Sequence, residues 1–100
     1  MALFLSFIPA FNRSLKNLDP KQIETIKLLL EALEAYFISN CNLAEAQKIA
    51  PQFFYKQLRK PFYEAGVDDK LRIVIRRDQS ACAAMLVGNH DQIRRFLGNQ

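Results

Sequence analysis

The stretch LVGNHDQIRRFL, residues 86–97, carries the only histidine of this 100-residue chain, His90, after a Gly-Asn turn and four residues ahead of the adjacent pair Arg94 and Arg95. An unperturbed imidazole titrates near pH 6.5, so His90 can take or give a proton close to neutrality. Arginine keeps its proton and instead stabilises developing negative charge. In KLRIVIRRD, residues 70–78, strand alternation places Arg72, Val74 and Arg76 on one face and Leu71, Ile73 and Ile75 on the other. At a rise of about 3.3 Å per residue, Arg72 and Arg76 stand about 13 Å apart along that face, loosely two phosphate spacings. An imidazole beside guanidinium groups suits proton transfer at a phosphate. An isolated histidine at a strand end equally serves to bond a carbonyl or cap a helix, and the residues alone leave both readings open.

The charge distribution points the same way. The net charge is +4, and residues 1–51 hold five basic and five acidic side chains, whereas residues 52–100 hold nine basic and five acidic. The whole excess therefore lies in the second half, where arginine outnumbers lysine six to three. Clustered cations raise the local potential and gain affinity for polyanions by counterion release. The guanidinium fork fits phosphate oxygens where an ammonium is only a point charge. The alternative is an ordinary solvated basic surface.

Other chemistries find little support. Two cysteines, Cys41 and Cys82, are far apart with no C-x-x-C spacing, so they read as reduced thiols, and one histidine with two cysteines does not assemble a recognisable zinc site. No metal and no cofactor are expected. The start MALFLSFIPAF has no basic residue ahead of its apolar run, so it does not read as a secretory signal, and it is too short to span a bilayer. A cytoplasmic protein without membrane contact is the expectation. Half-hydrophobic composition with three Gly and four Pro over 100 residues suits a single domain spanning 1–100.

The elements that must position these residues follow from periodicity. ALFLSFI, residues 2–8, reads as a strand apolar on both faces and stopped by Pro9, with a short helical turn after it. Asp19, Pro20 and Gln22 form a helix start box, followed by Ile23, Ile26, Leu30, Leu33 and Phe37 at helical spacing. Asn42 opens a short second helix that Pro51 closes. The period then changes to two in FFYKQLR (53–59), LRIVIRR (71–77) and ACAAMLV (81–87), joined by turns at PFYEAGVDD and RDQS. DQIRRFLGN, with an Asp cap and Gly98 at its end, reads as a terminal helix. The expected class is α+β: a small, mostly antiparallel sheet in the order β-α-α-β-β-β-α, with two amino-terminal helices on one face and the arginines turned away from them. Alternation puts Arg59 with Tyr55 and Gln57, and Lys56 with Phe54 and Leu58. The sequence leaves open whether Lys56 joins the arginine surface.

Taken in order, FIPAFNRSLKNLDPKQIETI, the KI of 48–49 before FFYKQLR, KLRIVIRRD and the closing GNHDQIRRFL resemble the RelE/ParE superfamily of toxins from type II toxin–antitoxin pairs over nearly the whole chain. RelE-like members are ribonucleases that act on messenger RNA, usually on the ribosome, whereas ParE-like members inhibit gyrase. The resemblance implies metal-independent cleavage through the 2′-hydroxyl, with His90 as acid or base, Arg72 and Arg59 on the phosphate, and Lys56 beside them. Gln57 stands where the founding ribonuclease has a lysine, and Phe96 or Arg94 stands where an aromatic residue is expected. Arg76, Arg77, Arg94, Arg95 and Tyr63 are the further RNA-binding candidates, Tyr63 by stacking. Glu64 offers a carboxylate base, as in one branch of the family. Within the connection expected at 61–69, Tyr63 and Glu64 need neither role. Implied partners are messenger RNA, the ribosome and a cognate antitoxin whose helix lies on the sheet or displaces the terminal helix. The alternatives are a gyrase inhibitor without nuclease activity, or a degenerate member that binds RNA or antitoxin only.

Overall fold

Local signals fix the helices. The computed structural model describes residues 4–79 and 81–100; residues 2 and 3 of the expected first strand and Ser80 of the expected RDQS turn lie outside the described residues. Strand β1 (Phe4–Phe7) leads into α1 (Pro9–Leu15), where Pro9 occupies the first helical turn and gives up no intrahelical hydrogen bond. Helix α2 (Pro20–Ile38) starts on the expected box: Gln22 N–H donates to Asp19 Oδ1 at 2.8 Å and Asp19 N–H donates to Gln22 Oε1 at 2.9 Å. It buries Ile26, Leu29, Ala32, Leu33 and Phe37 along one stripe. Asn40 and Cys41 then adopt left-handed backbone conformations, φ 59° and 63°, and turn the chain into α3 (Leu43–Ile49), which Asn42 caps through Ala44 N–H.

The sheet has the order β1-β5-β4-β3-β2, formed with β2 (Phe54–Gln57), β3 (Phe62–Gly66), β4 (Arg72–Arg77) and β5 (Ala81–Gly88). All neighbours are antiparallel except β1, which lies parallel to β5. The α+β class holds, with a mixed sheet. The expected order is corrected in two places: three helices precede β2, and Phe62–Gly66, read as connection, is a strand. Its glutamate and glycine are poor strand formers by composition, and pairing with β2 and β4 on both sides supplies what propensity does not. Tyr63 and Glu64 are therefore strand residues.

One face of the sheet packs on α1 and α2 through Ala65, Ile73, Ile75, Cys82, Ala84 and Val87. Ala84 and Val87 share this face although they are three apart, because the β4–β5 register shifts between Val74 and Ile75. Burial pushes the Cys82 thiol pKa up, in keeping with a core residue. The opposite face was expected to be open. Helix α4 (His90–Gly98) instead lies across it: Ile93, Phe96 and Leu97, at helical spacing, close over Phe62, Val74, Met85 and Leu86. The Phe62 and Phe96 rings meet edge-to-face at 5.3 Å.

The α4 cap is Asn89 rather than the expected Asp91. Asn89 Oδ1 accepts from Gln92 N–H and Gln92 Oε1 accepts from Asn89 N–H, at 2.9 and 2.8 Å. Gly88 makes room for this box, since a Cβ there would meet the Gln92 side chain at 2.8 Å. Removing the reciprocal cap by Asn89→Ala is expected to cost about 1 kcal/mol, measured by urea denaturation.

Candidate functional site

Three charged side chains meet at one end of the α4-bearing face. The ladder aligns Phe54, Gly66, Arg72 and Gly88 across β2, β3, β4 and β5, and the next row aligns Lys56, Glu64, Val74 and Leu86. Arg72 thus has glycine on both flanks. A Cβ at Gly66 would stand 2.7 Å from the Phe54 ring, so glycine leaves that ring its place. The ring in turn lies against the Arg72 guanidinium, with Cζ 5.3 Å from its centroid.

Glu64 is the charged residue that the fold buries: it is 1 % exposed. Its Oε1 accepts from Arg72 Nη1 at 2.8 Å and faces Lys56 Nζ at 3.3 Å. A carboxylate this deep requires paired charge, and two cations on one oxygen provide it. Arg72 retains 15 % side-chain exposure and Lys56 58 %, so the cluster opens to solvent on the lysine side with one positive charge in excess. Arg72 Nε is buried with no hydrogen-bond partner among the described residues. It is a donor already desolvated and aimed at no acceptor.

His90 stands at the same end of the sheet. It opens α4, two residues after Gly88, which is the ladder partner of Arg72. The ring is exposed, and Nε2 lies 3.1 Å from Arg94 Nη2. In this contact the guanidinium can act only as donor. The imidazole borders a cleft of about 570 Å³ that also takes in Ser14, Asn17, Asp69 and Asp91. Asp69 borders the shallow depression over Arg72 and Phe54 as well. The β3–β4 connection thus separates the histidine from the ion cluster.

The remaining candidates lie elsewhere. Arg59 Nη2 donates to Leu97 O at 2.6 Å and Gln100 O at 3.4 Å, so its cation neutralises the carboxyl end of α4. Seven residues of helix, about 10 Å of axial rise, separate Leu97 from His90. Arg76 shares the Arg72 face beyond the buried Val74, 4.0 Å from Asp78; the expected track from Arg72 to Arg76 is interrupted by the apolar contact with α4. Arg77 and Tyr63 are on the helix-packed face: Tyr63 stacks on Tyr55 at 5.5 Å, and Arg77 Cζ is 5.9 Å from the Tyr63 ring centre. Burial drives the Tyr55 phenol pKa well up, with Arg77 opposing it, so the hydroxyl stays protonated. Arg95 lies exposed in the last turn of α4. The structure therefore groups Lys56, Glu64 and Arg72, sets His90 and Arg94 at the same end of the sheet but across Asp69 from them, and separates Arg59, Arg76, Arg77 and Tyr63. Lys56 joins the arginine face because it pairs with Glu64, a register that depends on β3. Phe54, Gly66 and Gly88 were not anticipated as parts of the site; a hairpin reading of 62–77 was the signal that finds them.

No family model and no curated protein sequence matches the chain. Solved structures do. The E. coli DinJ-YafQ toxin–antitoxin complex contains a chain that superposes with a TM-score of 0.67 at 11 % identity, covering 93 % of this chain and 98 % of that one. The RelB-RelE antitoxin–toxin complex from Methanococcus jannaschii gives 0.62 at 20 % identity, covering 91 % and 96 %. A metal-bound toxin from Helicobacter pylori gives 0.55 at 22 % identity, covering 93 % and 99 %. The chain has the RelE-like toxin fold.

Proposed function

We propose that this protein is the toxin of a type II toxin–antitoxin pair and cleaves messenger RNA through its 2′-hydroxyl at the sheet end marked by Lys56, Arg72 and His90. The observation that supports the reading is the position of His90, which opens α4 at the end of the sheet where two cations converge. The shared fold, with relatives solved as complexes with antitoxins, supports both the toxin reading and a small antitoxin as partner. In the reaction, neutral His90 takes the 2′-hydroxyl proton, the 2′-oxygen attacks phosphorus, and the 5′-oxygen leaves. The imidazolium formed is then an acid suited to protonate that oxygen. Arg72 and Lys56 surround the phosphorane, where a water-poor setting raises their value. This scheme calls on no metal.

One observation favours a second reading, a member that binds RNA or antitoxin without cleaving. Arg72 is already neutralised by Glu64, and Arg59 is fixed to α4. Pulse labelling after induced expression separates the possibilities. Protein synthesis is expected to stop first. An early arrest of DNA synthesis points instead to gyrase inhibition, and no arrest points to the binding-only member.

A further inference from the structure

On the far side of the molecule from the ion cluster, the outer face of α2 and the adjoining α3 form an apolar groove with an acidic rim. Five large apolar residues are exposed among those described, and four of them, Leu28, Ile38, Leu43 and Ile49, are on these two helices, with Ile38 and Ile49 lining the groove. Ile38 is 63 % exposed, a large apolar side chain left in water at the end of a helix whose other face is fully buried. Leu28, Glu31, Ala35 and Ile38 recur at intervals of three, four and three, which is one stripe along about 15 Å of helix. The groove between this stripe and α3 encloses about 610 Å³, room for a few apolar side chains of a partner. Its charged lining comprises Glu31, Glu34, Glu45 and Lys48, and Lys48 is bound to Glu45 at 2.7 Å. Glu31 and Glu34 are left to face whatever docks, on a chain whose net charge is +4.

We propose that this groove is a docking site for one cationic amphipathic helix of a partner protein, engaged independently of the RNA-facing side. Ala35, Ile38 and Ile49 give the groove an apolar lining that fits the i, i+3, i+7 anchors of a helix laid in it. The acidic rim selects lysine or arginine beside those anchors and rejects nucleic acid and acidic segments. The two broad faces of the protein then attract partners of opposite charge, and both can be occupied together. This inference stands or falls apart from the nuclease reading.

The test uses the full chain and a synthetic 18-residue helical peptide with leucine at every third and fourth position and flanking lysines. Its counterpart replaces each lysine by glutamate. Titration followed by amide chemical shifts is expected to give at least tenfold tighter binding of the lysine peptide, with shifts at Ile38, Ile49 and their neighbours. Ile38→Asp, at an exposed position at the end of α2, is expected to weaken binding at least tenfold while the amide spectrum stays that of the folded chain, the carboxylate at the helix end lowering the melting temperature by no more than about a few degrees. The double change Glu31→Lys with Glu34→Lys is expected to reverse the peptide preference. Equal affinity for the two peptides, or binding undiminished by Ile38→Asp, overturns the proposal. So does a dimer of the wild-type chain in sedimentation that Ile38→Asp dissolves, because the occupant is then a second copy.

Discussion

His90→Ala is expected to lower the rate of RNA cleavage by about 10²–10⁴, the usual effect of losing a positioned proton-transfer group. RNA affinity is expected to stay at the wild-type level, because the proposed scheme rests phosphate contact on Lys56 and Arg72. The variant is a clean probe. Asn89, not His90, caps α4, and the imidazole is exposed with Arg94 as its recorded side-chain contact, so stability should change by no more than about 0.5 kcal/mol. His90→Gln keeps a polar group beside Arg94 but cannot shuttle a proton near neutrality, and should be as impaired as the alanine variant. Single-turnover cleavage of a labelled RNA measures both. Undiminished cleavage by either variant removes His90 from the reaction.

The second large effect concerns folding. Glu64→Leu keeps a similar volume but leaves Arg72 without its anion in a site that is only 15 % exposed. Breaking a buried ion pair from one side costs about 3–5 kcal/mol, because the remaining charge is uncompensated. The exposed Lys56 ammonium and the partial access to Arg72 place the expected loss at the lower end of that range. Adding Arg72→Met removes the stranded charge and should recover most of the stability, since an apolar replacement of both partners is often neutral. Urea denaturation of the two single variants and the double variant reads this as a thermodynamic cycle. Additive losses would mean that the two side chains do not interact as the geometry describes.

These residues also separate what was legible in the sequence from what was not. The Asp19–Gln22 box and the Asn42 cap were readable because both partners lie within a few residues. The facing of Arg72 was readable because alternation is a local property of its strand. Lys56 was not, because its place opposite Glu64 depends on β3, and Phe62–Gly66 takes its conformation from two neighbouring strands rather than from its own composition. Arg59 was assigned to phosphate by the family resemblance, yet its bond to Leu97 O spans 38 residues of sequence, which no local pattern encodes. The burial of Val74 under α4 did leave a trace. Ile93, Phe96 and Leu97 share one side of the terminal helix, and such a helix must lie on something apolar. The only sheet face left to it was the one carrying the arginines.

Mapping the chemical ends of the RNA fragments tests the central claim most directly. Attack by the 2′-oxygen, with His90 moving the proton and Arg72 and Lys56 holding the phosphate, predicts a 2′,3′-cyclic phosphate on one fragment and a 5′-hydroxyl on the other. A 2′-deoxy nucleotide at the scissile position should abolish both. Fragments ending in a 3′-hydroxyl and a 5′-phosphate, or cleavage that persists at the deoxy position, would contradict the account.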